Sequence, residues 1–168
     1  MDRTVDLAAV NRVAKRVELK GVRLSEISAK CDPTVIGPSL MPNVDLDCKV
    51  GEHNESSLEV ICNYTFAAQS EGKQVIQSTI TYLLSYEVSG SESPSAEDLT
   101  EFAKANGALH SWPFVRELLY GLTSRMGYPP YTLPVIHFSV TKAPAKVQEK
   151  EPLAEPIEAQ AEAPKTKK

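Results

Sequence analysis

Apolar and polar residues alternate over two long central runs of the chain. Leu58, Val60, Cys62, Tyr64 and Phe66 are separated by Glu59, Asn63 and Thr65, and Ile76, Ile80, Tyr82, Leu84, Tyr86 and Val88 by Gln77, Thr79, Thr81 and Glu87. A period of two turns every second side chain to one face, so each run predicts a strand with one buried side. The polar, glycine-containing Gln69 to Lys73 has the length of a hairpin loop, which makes the two strands antiparallel neighbours. Upstream, Val44, Leu46, Cys48 and Val50 give another period-two run, turning back through Gly51 to Glu55. A first strand is expected over Val17 to Ile27. Its apolar phase is odd at Val17 and Leu19 but even at Val22 and Leu24, and a change of phase at Gly21 predicts a β-bulge. Val5 to Arg16, before it, has helix-compatible composition.

Two helices are expected after the sheet. Ser95, followed by Asp98 three residues on, offers a hydroxyl cap and a reciprocating carboxylate, and Leu99, Phe102 and Ala103 then share a face. Asn106-Gly107 reads as the stop of that helix, because glycine takes the left-handed conformation of a C-terminal cap without a Cβ penalty. A second helix is predicted from about Trp112 to Met126, with Pro113 in its first turn and Val115, Leu118, Leu119, Leu122 and Met126 as an apolar stripe. Phe114, Leu118, Leu122 and Met126 are read as core over the sheet in preference to a binding face. Beyond Gly127, the prolines at 129, 130 and 134 predict that Tyr128 to Phe138 lies extended over the domain.

Between the first and second strands, Cys31 to Asn43 is too long and too apolar for a tight turn, with Pro33, Gly37, Pro38 and Pro42 among Val35, Ile36, Leu40 and Met41. A loop of this kind either crosses over the sheet or offers apolar side chains to a ligand. The expected architecture is therefore α+β: a four-stranded antiparallel sheet with a crossover loop after strand 1, packed by two C-terminal helices. An N-terminal segment (1–16) precedes a domain spanning 17–141. From Lys142 to Lys168 four prolines stand among Ala, Glu, Gln and Lys without an aromatic residue, a composition that predicts a disordered tail.

Several short motifs resemble one family. Pro113-Phe114-Val115-Arg116-Glu117, Ser124-Arg125, Gly127-Tyr128-Pro129 and Leu133-Pro134-Val135 with Phe138 resemble the C-terminal helices and following loop of SecB, the protein-export chaperone. Pro42 to Asp47 also looks like the start of that family's second strand. The resemblance implies the same order of strands, crossover and helices, and a homo-oligomer, a tetramer built as a dimer of dimers or a dimer. It implies an ATP-independent holdase for unfolded polypeptides, acting in export with the SecA translocation ATPase as a partner. The family docks SecA through acidic residues on the first strand. The matching positions here are Gly21 and Ser25, with Glu18 and Glu26 nearby. The family's Pro-Val-Asn-Phe ending also reads here as Pro134 to Phe138 with Ile136 and His137 between. These departures fit a relative devoted to one client, such as the SecB-like chaperones of toxin-antitoxin systems.

Client-binding candidates are Val35, Ile36, Leu40 and Met41 in the crossover, Val44 and Leu46 on the second strand, and Trp112, Tyr131 and Leu133 beside the helix. Burial at a subunit interface is the rival reading for the crossover set and for Trp112, Tyr131 and Leu133. An oligomeric scaffold or a small-ligand-binding α+β protein is the alternative function.

Charge and chemistry narrow the choice. The chain of 168 residues has a net charge of −4, and without its last 27 residues twelve Lys and Arg face seventeen Asp and Glu. Nucleic-acid binding needs clustered cations to displace counterions, so it is not expected. The apolar runs are too short for a membrane helix and the N-terminus lacks the apolar core of a signal peptide, so a cytoplasmic location is expected. His53, His110 and His137 lie in no metal-ligand motif, and no glycine-rich phosphate loop occurs. His110-Ser111 is a poor base and nucleophile, since adjacent side chains diverge. Asp45 and Asp47 read as solvated outward carboxylates. No catalysis, metal or cofactor is expected. Cys31, Cys48 and Cys62, odd in number and without a CxxC pair, read as free thiols, two of them in phase with the buried strand faces.

Overall fold

From residue 2 the chain forms a short strand, β1 (Asp2–Val5), and a helix, α1 (Leu7–Ala14), before four long strands. These are β2 (Val17–Cys31), β3 (Met41–His53), β4 (Ser57–Ser70) and β5 (Lys73–Val88). Then come α2 (Ala96–Phe102), a π-helical turn (Ala103–Gly107), α3 (Ala108–Arg125) and β6 (His137–Val140). The computed structural model describes residues 2–34, 40–90 and 94–140; the expected disordered tail (142–168) lies outside them.

The long strands form one antiparallel sheet in the order β2-β5-β4-β3. The β3-β4-β5 meander is the one expected, and β2 and β3, consecutive in the chain, occupy opposite edges. The connection after Cys31 is thus a crossover. Alternation in β4 follows the pattern closely: Leu58, Val60, Cys62, Tyr64, Phe66 and Ala68 are all buried. The β4-β5 hairpin closes on Glu71 and Gly72, both with positive φ (52° and 76°), which matches the twist of the flanking strands in a two-residue turn. At the other end Asn54 Oδ1 accepts from the amides of Ser56 and Ser57, a side chain standing in for a turn carbonyl.

One face of the sheet is covered by helices. Ser95 caps α2, its hydroxyl accepting from the Asp98 amide while Ser95 in turn holds the Asp98 carboxylate, so the reciprocal cap forms as expected. The expected break at Asn106-Gly107 does not form. Residues 103–107 make a π turn that continues directly into α3, and Gly107 is helical at φ −56°. Its role is spatial: a Cβ there would stand 2.8 Å from Val60 Cγ1 and 2.9 Å from Cys62 Sγ. Glycine lets the helical layer settle onto β4. Helix α3 consequently starts four residues before Trp112, and Pro113 lies inside it, where it removes one intrahelical donor.

The N-terminal segment joins the same core, contributing Val5, Ala9, Val10 and Val13. Helix α1, capped by Asp6, packs on α2, where Arg12 grips Asp98 through two bonds of 3.0 and 2.6 Å. Strand β1 pairs in parallel with β6, Asp2 opposite His137 and Val5 opposite Val140. Neither short strand was predicted; the extended segment before β6 was.

Candidate functional site

Helices cover β3, β4 and β5, but the inner face of edge strand β2 keeps large apolar side chains in solvent. Leu19, Leu24 and Ile27 are 37%, 40% and 41% exposed, and Val22 is half-buried. Their spacings of three, two and three residues would scatter them over both faces of a regular strand. Two bulges prevent that. The register slips between Leu19 and Gly21 and again between Leu24 and Glu26, leaving Lys20 and Ser25 as the extra residues. Leu19, Val22, Leu24 and Ile27 therefore stand opposite Tyr86, Leu84, Tyr82 and Ile80, which are the buried face of β5. Directly paired residues share a face, so all four form one stripe beside the core. The bulge expected at Gly21 is present, and the second, at Ser25, completes the alignment.

Phe114 supplies the far side of the stripe. Its ring lies 6.2 Å from that of Tyr82, the partner of Leu24, and it is 46% exposed. The expectation that Phe114 belongs to the core is corrected: the helix phase buries Ser111, Val115, Leu119 and Thr123 and turns Phe114 outward, leaving Leu118, Leu122 and Met126 half-buried. Lys20 sits between Glu18 and Glu87 at 2.9 and 2.8 Å next to the stripe.

The predicted groove residues are divided by the structure. Val35 and Ile36 lie outside the described residues. Met41 is 62% exposed, and Leu40, Val44 and Tyr131 are half-buried against the core. Leu46, Trp112 and Leu133 were expected at an open groove, and their burial corrects that placement. The cause is the extended segment after α3, which is pinned down along its length. Tyr128 Oη donates to the Asp32 carbonyl at 2.9 Å, the Tyr131 amide to Thr123 Oγ1 at 2.9 Å, and Trp112 Nε1 to the Pro134 carbonyl at 3.0 Å. Tyr131 stacks on Phe66 with ring centroids 5.4 Å apart. Leu133 is then trapped beneath. Sequence reasoning missed Leu24 and Ile27, for which the 19/22/24/27 spacing across two bulges was the available signal.

Polar groups in the core are used structurally. Tyr64 Oη and Ser111 Oγ meet at 2.6 Å, and Ser111 also bonds back to the Gly107 carbonyl. Tyr86 Oη meets His110 Nδ1 at 3.0 Å; burial lowers the imidazole pKa and raises the phenol's, so both stay neutral near pH 7. Among the described residues no group of three His, Cys, Asp or Glu side chains could hold a metal, and no helix is long and apolar enough to cross a membrane. A surface cleft of about 480 Å³ lies at one end of the sheet between Val17, Leu58, Val88 and Leu99, and another of about 400 Å³ lies along α3 beside Trp112, Arg116 and Tyr120.

A helical layer on a four-stranded antiparallel sheet, with a crossover after the first long strand, makes this a SecB-like α+β fold. In sequence and fold the chain is similar to SecB-like chaperones. No family model matches it. It is 25% identical over 131 residues to the SecB-like chaperone Rv1957 of Mycobacterium tuberculosis (strain ATCC 25618 / H37Rv), which covers 77% of this chain and 71% of the relative. It is 38% identical over 47 residues to the SecB-like chaperone MT2006 of the CDC 1551 / Oshkosh strain, a match spanning 28% of this chain and 26% of that relative. The fold is shared with the solved Mycobacterium tuberculosis Rv1957 SecB-like chaperone in complex with a ChAD peptide from the Rv1956 HigA1 antitoxin. That likeness has a TM-score of 0.70 at 22% identity and covers 76% of this chain and 95% of the other.

Proposed function

We propose that the protein is an ATP-independent holdase that binds non-native polypeptides on the apolar stripe of β2 and the adjoining face of α3. The observation that carries this reading is the alignment of Leu19, Val22, Leu24 and Ile27 on one uncovered face beside Phe114. Exposed, contiguous apolar side chains on a folded domain mark a surface that a partner covers, and each fully covered Leu or Ile contributes about 1.5 to 3 kcal/mol. Two or three side chains of a bound segment would thus reach useful affinity without a deep pocket.

A dedicated client of the antitoxin kind is the favoured version of this function, with general export the broader one. Its support is the likeness to Rv1957, solved with an antitoxin peptide, together with Gly21 and Ser25 at the positions where the export family carries acidic residues for SecA. Ser25 is here the extra residue of a bulge and Gly21 adjoins the other. A role in translocation with SecA, a cytoplasmic site of action and a dimer or tetramer belong to the same proposal. A second copy laid on the stripe is the competing occupant. Light scattering of an unfolding client, with and without the protein and in the absence of nucleotide, tests the holdase reading. Titration of the ChAD peptide of the Rv1956 antitoxin tests the client class, and sedimentation across concentrations reports the assembly. Unsuppressed aggregation at a several-fold excess of the protein overturns the proposal.

A further inference from the structure

Cys48 and Cys62 face each other across the β3-β4 pair in direct register, with their sulfurs 2.8 Å apart. Both residues are buried, 4% and 0% exposed, while Cys31 is exposed. We propose that Cys48 and Cys62 are an oxidation site that closes into a cross-strand disulfide, stapling edge strand β3 to the sheet. Directly opposed residues of antiparallel strands have Cα atoms about 4.5 or 5.5 Å apart, and a disulfide spans roughly 4.4 to 6.8 Å, so the register of Cys48 and Cys62 falls within a disulfide's reach. The space for it is already cleared. A Cβ at position 107 would crowd Cys62 Sγ at 2.9 Å and Cys48 Cβ at 3.3 Å, and the glycine there leaves the sulfur pair unobstructed beneath the π turn.

Hydrogen peroxide serves as the oxidant. The Cys48 sulfur, on the edge strand and the less buried of the two, attacks one peroxide oxygen, giving a sulfenic acid and releasing water. The Cys62 sulfur then attacks that sulfenic sulfur, forming the S–S bond; the displaced hydroxide takes the Cys62 proton and leaves as a second water. Two thiols are oxidised by two electrons and one peroxide is reduced to two waters. Burial slows the first step by excluding reagent and disfavouring the thiolate, while the fixed opposition of the sulfurs makes the second step immediate. The staple does not depend on what the stripe binds.

The test uses the full chain with the exposed thiol removed, Cys31→Ser, treated with hydrogen peroxide and compared with Cys31→Ser/Cys48→Ser. The expected result is loss of both titratable thiols, an intact mass lower by two hydrogens, a proteolytic peptide pair joining residues 48 and 62, and a melting temperature raised by about 4 °C or more that dithiothreitol reverses. Two thiols still titrating after prolonged peroxide overturns the proposal, as does a mass gain of oxygen atoms without a linked peptide pair, or unfolding on oxidation. The same rise in melting temperature in the double variant also overturns it.

Discussion

Gly107 and Val60 approach so closely that a single added carbon at position 107 would lie 2.8 Å from Val60 Cγ1. The π turn rests on β4 through a glycine chosen for the absence of a side chain. Alanine is the better helix former by about 1 kcal/mol, so Gly107→Ala sets propensity against packing.

Packing should win at this position. Overfilling a tight core costs about 1 to 3 kcal/mol or more, and the atoms to be displaced belong to buried Val60, Cys62 and Cys48. Gly107→Ala is therefore expected to lower the urea midpoint. Gly121→Ala, in α3, meets only the end of the flexible Arg125 side chain and is expected to raise stability by about 0.5 to 1 kcal/mol. Denaturation of the two variants side by side checks the pair of opposite signs.

The stripe and the pinned segment should separate binding from folding. Leu24→Ser with Phe114→Ser removes two exposed side chains, so the melting temperature should stay near that of the parent while client affinity falls by about tenfold or more. Leu133→Ala hollows a buried position and should cost about 2 to 5 kcal/mol of stability. Fluorescence titration of a labelled unfolded client, run beside thermal melts, distinguishes them. Unchanged affinity in the first variant would place the client elsewhere.

Acid should release the clamp between α1 and α2. The Arg12 guanidinium, hydrogen-bonded to Asp98, holds that carboxyl below its ordinary value of 3.8, and Lys104 with the Asp6 amide does the same for Glu101 from its ordinary 4.5. A carboxylate depressed in the folded state adds stability above its unfolded pKa and loses it as pH falls through the folded one. Asp98→Asn is thus expected to melt lower than the parent at pH 7, and the gap should narrow below pH 3.8. Melting curves between pH 7 and pH 3 check it; a constant gap would mean the pair contributes through shape alone.

The strands of the meander were legible because alternation is enforced by burial on one side only. Leu58 to Phe66 faces the helices on one side, so every second position had to be apolar. The edge strand was legible in half. Gly21 marked the first change of phase, but Ile27 alone marked the second, and its meaning depended on β2 lying outside the helical cover, which the crossover decides rather than any local pattern. Gly107 misled because the same residue type serves a left-handed cap and a close approach, and only the position of β4 distinguishes them. Exposure of Trp112 and Leu133 is what the prolines suggest, since they predict an extended segment without saying what holds it. Tyr128, Tyr131 and the Pro134 carbonyl tie it down through bonds to residues far away in the chain.

Pairing of β1 with β6 joins positions 2–5 to positions 137–140. During synthesis at about 5 to 20 residues per second, the first strand therefore waits on the order of ten seconds before its partner exists. Through that interval Val5, fully buried in the finished domain, has no sheet partner, because Val140 has not yet been synthesised. The domain thus passes through its own period of unfinished pairing, which β6 ends.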